Sequence, residues 1–207
     1  MRQHAHAGMS LFGSTGARKY LNSSERACFA KTARRGTRDV QLFCLVLNLS
    51  GGRISEILAL TPAAIDIDSA VANIVTLKRR KRGIVRQVPL PRSAIAQLDR
   101  AFHLRQRQRD PDSAYRRIWQ WSRTTAWRRV KEVMAAANIV GLHATPKGLR
   151  HGFGVNAFQS LVPPHLIQKW MGHASLESTA IYADVIGPEE RAFAVRMWGN
   201  RKRGKSA

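Results

Sequence analysis

The spacing of apolar positions changes period twice along the chain, from helical to alternating and back. Asn22 followed by Glu25 has capping-box spacing and predicts a helix through Ala33, ended by Gly36. Thr37 starts a second helix that runs to about Ser50 and is apolar on most faces, which places it in the centre of the core. Gly51-Gly52 breaks the chain, and Arg53 opens a short helix, ISEILAL, that stops at Thr61-Pro62. Three β-branched segments follow, Ile65 to Asp68, Val71 to Leu77 and Ile84 to Val88, with Pro89 and Pro91 closing the sheet. The last two flank a very basic hairpin tip, Lys78-Arg79-Arg80-Lys81-Arg82-Gly83. Helical spacing returns from about Ser93 to Gln108, with Ile95, Leu98 and Phe102 on one face. A polar and aromatic connection, 109–121, leads to a helix from about Thr125 to Ala137 carrying Trp127, Val130 and Met134. After a loop ending in Thr145-Pro146-Lys147, a helix carries Leu149 through Leu161 and is punctuated by Pro163-Pro164. A short helix then holds Ile167, Trp170 and Met171, ending at Gly172, and another begins near Ser175 and carries Tyr182. Gly187-Pro188 starts a last helix, Glu189 to Trp198. The predicted fold class is mainly α with a small antiparallel three-stranded β-sheet.

Length and composition narrow this picture. A chain of 207 residues supports one domain with a real core. The expected organisation is a flexible lead over 1–18, a folded domain over 19–198 and a basic tail over 199–207. Thirty-five Lys and Arg face thirteen Asp and Glu, a net charge of +22, which calls for a polyanionic partner such as DNA or RNA. Cys28 and Cys44 lie in apolar helical contexts and read as small buried hydrophobes. No Cys/His cluster has zinc spacing, so no metal is expected. The longest apolar run, Val40 to Leu49, is interrupted by Gln41 and Asn48 and is too short to span a bilayer. The expectation is a soluble, cytoplasmic protein with no membrane partner.

The candidate chemistry lies in an ordered set: Arg53, Arg150, His151, His173 and Tyr182. Each suits one task in breaking a phosphodiester with a tyrosine. An arginine fork stays charged and gives paired hydrogen bonds to phosphate oxygens. A histidine donates further hydrogen bonds. The phenol attacks, and because its ordinary pKa is about 10 it needs nearby cations and a hydrogen-bonding partner. Tyr20 and Tyr115 stand outside the set.

These residues sit in four blocks, GGRISE, the TLK strand with its basic turn and VPLP, PKGLRH, and MGHASLESTAIY. In that order they resemble the tyrosine recombinases, or phage integrases, over about residues 19 to 198. The resemblance implies a site-specific DNA recombinase that cleaves and rejoins strands through a 3′-phosphotyrosyl intermediate, without metal, ATP or other cofactor. It implies that Arg53 and Arg150 bind the scissile phosphate, that Tyr182 is the nucleophile, and that His173 donates to the phosphate and positions Tyr182. Glu56 orients Arg53 from behind, and His151 supports a neighbouring loop. Lys78 matches the general acid when counted from the strand start; counted back from VPLP, Lys81 does. Lys147 occupies the place most often held by histidine and is kept as a phosphate contact. Arg79, Arg80, Lys81, Arg82, Arg128, Arg129 and Lys131 are expected DNA contacts.

Only a short segment precedes the first helix, where most relatives carry a DNA-clamping domain. The chain therefore reads as a catalytic domain standing alone, in the manner of the short fimbrial-switch recombinases. Family behaviour implies double-stranded DNA as partner, a homotetramer on synapsed DNA, possible accessory DNA-bending proteins, and a bacterial host or its mobile elements. Three other readings stay open: a catalytically silent DNA-binding relative, a strand-relaxing activity of the type IB topoisomerase kind, and a general RNA-binding cationic protein.

Overall fold

The computed structural model describes residues 10–77, 83–183, 191, 194–195 and 197–198. Helix α1 (Ser23–Ala33) starts where the capping box places it. The Asn22 side chain accepts from the Glu25 amide, and the Glu25 carboxylate accepts from the Asn22 amide. Helix α2 (Arg38–Ser50) buries Leu42, Phe43, Cys44, Val46 and Leu47 and ends on Gly51 at φ 60°. A side chain at Gly51 would need left-handed backbone, and its Cβ would fall 2.3 Å from the Phe153 ring. Helix α3 (Ile54–Leu58) follows at once, with Arg53 as its N-cap residue.

Strands β1 (Ile65–Asp66), β2 (Val71–Val75) and β3 (Val85–Pro89) form one antiparallel sheet in that order, with Ala72 opposite Val88 and Ile74 opposite Arg86. On β3 only Arg86 and Val88 point inward. The predicted helix over 93–108 is two: α4 (Arg92–Phe102) and α5 (Leu104–Gln108), broken by His103 at φ 52°. That turn re-aims the chain so that Leu104 is buried and Gln108 donates to the Pro62 and Ile65 carbonyls. The connection predicted over 109–121 contains a short helix, α6 (Pro111–Ala114). It also contains Trp119, which packs edge-on against Phe43 and Phe102 and donates its indole N–H to the Asp39 carbonyl.

Helix α7 (Arg123–Ala136) buries Ala126, Val130 and Met134. Trp127, read as a companion of Val130 and Met134, is 45 % exposed. Helix α8 (Pro146–Gln159) packs on α1, α2, α7 and α9 (Pro164–Met171), and α9 also packs on β3. The predicted helix carrying Tyr182 is only α10 (Glu177–Ala180); Tyr182 sits in the turn after it. Of the last predicted helix, Arg191, Ala194, Val195, Met197 and Trp198 are helical, and its other residues lie outside the described ones.

The core has two parts. The large one gathers α1–α4, the sheet and α7 around Phe29, Phe43, Ile57, Ile74, Leu98 and Trp119. The small one joins Leu11, Tyr20, Phe153, Val155, Ile167, Met171 and Tyr182. Two sequence readings are corrected here. Residues 10–18 are not a loose lead: Phe12 bridges Arg18, Arg18 pairs with Glu25, and Leu11 is buried in the small core. Cys28 is exposed, because α1 turns that face outward; Cys44 is buried. No helix among the described residues is long and apolar enough to cross a membrane.

Candidate active site

The site is built on helix α8. Thr145 caps it by accepting from the Gly148 amide at 3.0 Å, and Pro146 occupies the first turn, where a missing N–H costs nothing. This start fixes the rotation of the helix and so the direction of Arg150. Arg150 is buried and donates at 2.6 Å to the Gly51 carbonyl and at 2.6 Å to the Met171 carbonyl, splinting the end of α2 to the end of α9. Burial first, then the charge of Arg53, pulls its pKa down to about 10, so it stays cationic at neutral pH. A guanidinium has five N–H donors, and two carbonyl contacts leave others to face a ligand.

Arg53 approaches from the start of α3. Its guanidinium donates to one Glu56 oxygen at 2.8 Å and its amide to the other at 2.9 Å. Glu56 is 1 % exposed and also accepts from Arg86, whose guanidinium bonds the Trp170 carbonyl and Thr76 hydroxyl as well. Burial raises the Glu56 pKa, but Arg86, the Arg53 amide and Arg53 itself outweigh it and leave the carboxyl below its usual range. The result is a buried carboxylate between two arginines, with the Arg53 side chain 36 % exposed.

His173 follows Gly172 at the end of α9. Its Nδ1 lies 2.9 Å from the Thr179 hydroxyl. Burial, then Arg150, Arg53, His151 and Arg86, depress its pKa to about 3, so the ring is neutral. With Nδ1 accepting from Thr179, the ring proton sits on Nε2 and is available to donate.

Tyr182 is 1 % exposed, with its ring stacked on that of His173 at a centroid distance of 6.0 Å. On its other side it lies across α8 at Gly154, where a Cβ would fall 2.4 Å from Cζ, so only glycine leaves room for the ring. Its hydroxyl is 3.2 Å from His151 Nδ1. Burial pushes the phenol up to about 12, against the pull of Arg150 and Arg53. No buried side-chain nitrogen or oxygen among the described residues lacks a hydrogen-bond partner, and no group of three potential metal ligands occurs among them.

The structure thus brings Arg53, Arg150, His151, His173 and Tyr182 into one place. Lys147 is exposed and close enough to His151 to depress its pKa. Lys78, Arg79, Arg80, Lys81 and Arg82 lie outside the described residues. On α7, Arg128 is exposed and Arg129 pairs with Glu132. Lys131 donates to the Ala144 carbonyl at 2.7 Å, so its ammonium ties α7 to the loop before α8. His151, expected to support a loop, instead reaches the tyrosine hydroxyl. Three further residues escaped the sequence reading. Thr179 and Gly154 serve His173 and Tyr182, and Arg86 anchors Glu56; the signal for Arg86 was an arginine at an inward-facing strand position.

A family model described as the phage integrase family matches residues 20–186. Tyrosine recombinase XerA of Pyrococcus furiosus is 30 % identical over 152 residues, covering 70 % of this chain and 50 % of that protein. Tyrosine recombinase XerC of Neisseria meningitidis serogroup C is 33 % identical over 147 residues, covering 70 % of this chain and 46 % of that protein. The chain therefore spans about half the length of the curated relatives it matches. Among solved structures, XerA recombinase superposes with a TM-score of 0.69 at 24 % identity, over 89 % of this chain and 65 % of that one. The catalytic domain of bacteriophage HP1 integrase gives 0.61 at 15 % identity, over 90 % of this chain and 98 % of that one. Fold and family model agree, and the chain belongs to the phage integrase family, folding as a tyrosine recombinase catalytic domain.

Proposed function

We propose that this chain is a site-specific DNA recombinase that cleaves and rejoins strands through Tyr182. The observation that carries the reading is the convergence of a tyrosine, two arginines and two neutral histidines on one point. Attack of Tyr182 Oη on phosphorus forms the 3′-phosphotyrosyl ester and expels the 5′-oxygen. The bond energy is kept in the ester, so religation needs no ATP. Arg53 and Arg150 hold the non-bridging oxygens, where charge builds as the phosphorane-like transition state forms, and fixed donors bind that state better than the ground state. His173, neutral with its proton on Nε2, adds a donor. Arg53 and Arg150 supply charge that a divalent ion supplies elsewhere. Lys78 or Lys81 protonates the leaving oxygen from the hairpin.

A net charge of +22 supports a DNA partner, with Lys147, Arg128 and Arg129 among its phosphate contacts. One structural neighbour, XerH, is a site-specific recombinase solved bound to its difH substrate in a pre-cleavage complex. The same reading carries a homotetramer on two synapsed duplexes, assistance from DNA-bending proteins, and a cytoplasmic location in a bacterium.

Covalent trapping tests this. The protein is incubated without metal with nicked duplexes drawn from DNA flanking its own gene, then run on a denaturing gel. The expected result is an adduct that vanishes in Tyr182→Phe. DNA binding without an adduct over a broad panel of sites would favour the silent relative. Relaxation of plasmids lacking any specific site would favour the topoisomerase reading.

A further inference from the structure

We propose that His151 is the general base of the reaction: it takes the phenolic proton of Tyr182 as that residue attacks phosphorus. The inference rests on the reading of Tyr182 as the nucleophile. Its basis is geometric. His151 Nδ1 lies 3.2 Å from Tyr182 Oη, and the two rings are 6.0 Å apart and tilted by 54°. His173 also contacts the tyrosine ring, but its Nδ1 is engaged with Thr179. Lys147 lies one helical turn before His151 on α8, and a lysine ammonium offers no acceptor.

The step balances within the named groups. With the imidazole proton on Nε2, Nδ1 accepts from the phenol. The Oη–P bond forms, the Oη–H proton passes to Nδ1, and the P–O5′ bond breaks. The 5′-oxygen leaves with that electron pair and takes a proton from the hairpin lysine or water. Religation returns the proton from imidazolium to the phenolate as the ester bond breaks.

The electrostatic surroundings fit a base that is empty at rest. Burial, then Lys147 and Arg150 on its own helix and Lys19 ahead of α1, hold the His151 pKa down to about 4. Tyr182 and His173 face it from the C-terminal segment. The ring is therefore neutral and free to accept at physiological pH. The scissile phosphate brings negative charge into this cationic surround, which raises imidazole basicity when it is needed.

The experiment measures single-turnover adduct formation on a nicked duplex for the wild type, His151→Ala and His151→Gln, across a series of pH values. Loss of a positioned base costs about 10²-fold to 10⁴-fold in rate. The expected variants are slowed by at least the lower figure, gain rate with rising pH more steeply than the wild type, and keep wild-type melting and DNA affinity. Added imidazole restores His151→Ala, whose missing ring leaves space, and does not restore His151→Gln. Wild-type rates in both variants would overturn the proposal. A slowed reaction with an unchanged pH profile and no imidazole rescue would also overturn it, leaving His151 a positioning residue. Absence of any adduct with wild-type protein would instead take down the nucleophile reading, and the proposal with it; the two failures are distinguished by the wild-type lane.

Discussion

The arginine platform and the tyrosine segment are built to different standards of rigidity. Arg53, Glu56, Arg86 and Arg150 are anchored to α2, α3, β3 and α9 through charge-assisted hydrogen bonds, several to backbone carbonyls. Their supporting elements border the large core. Tyr182 instead follows a four-residue helix and is held by the small core, one hydroxyl contact and a ring stack. Preorganised charge belongs on the rigid half, because donors that do not reorganise stabilise a transition state most. On the proposed reading the nucleophile therefore lies on the less firmly anchored half. In its slot the phenol is pushed up to about 12 by burial, against the pull of Arg150 and Arg53, so it is neutral there.

The largest test of that contrast is Glu56→Ala. It leaves Arg86 buried without its carboxylate, and breaking a buried pair this way costs about 3–5 kcal/mol. Chemical denaturation should show that loss, with adduct formation falling alongside it. A smaller effect is expected on the tyrosine side. Gly154→Ala puts a methyl where the Tyr182 ring lies, and overpacking costs about 1–3 kcal/mol. Because the small core can yield, quenching of Tyr182 fluorescence or its solvent protection should change more than global stability. Stability equal to wild type and an unchanged ring environment would mean that the slot is not occupied as described.

Acid sharpens the comparison further. His151 and His173 have folded pKa values depressed to about 4 and about 3, against an ordinary value of 6.5. Below pH 6.5 the unfolded chain binds protons that the folded one refuses, so stability is present above that pH and is lost as pH falls towards 4 and 3. Each histidine contributes on the order of 1 kcal/mol per pH unit across that window. Melting midpoints should fall there, and less so in His151→Gln. The smallest effect is expected from Thr179→Val, which removes the hydroxyl on His173 Nδ1 and costs about 1 kcal/mol. Its adduct rate should drop more than its stability, since the ring loses the contact that orients its proton.

What could be read from residues alone divides along physical lines. The start of α1 was legible because a capping box is a local signal, and the PKGLRH and MGHASLESTAIY blocks because their spacing is specific. The break at His103 was not, since a non-glycine residue at positive φ is imposed by packing beyond its neighbours. Leu11 gave too short an apolar signal in a polar lead to announce its burial. Arg86 was hidden by the basic hairpin beside it, where an inward arginine looks like one more phosphate contact. Gly148, Gly152 and Gly154 on one helix were a missed warning, because glycines that weaken a helix usually mark a close approach.

The most direct measurement is the identity of the residue joined to DNA. Protein trapped on a nicked duplex is digested with protease and nuclease, and the nucleotidyl peptide is sequenced by mass spectrometry. The account predicts a nucleotide on Tyr182, within the peptide that carries ESTAIY. A nucleotide on Tyr20, Tyr115 or a serine would contradict it.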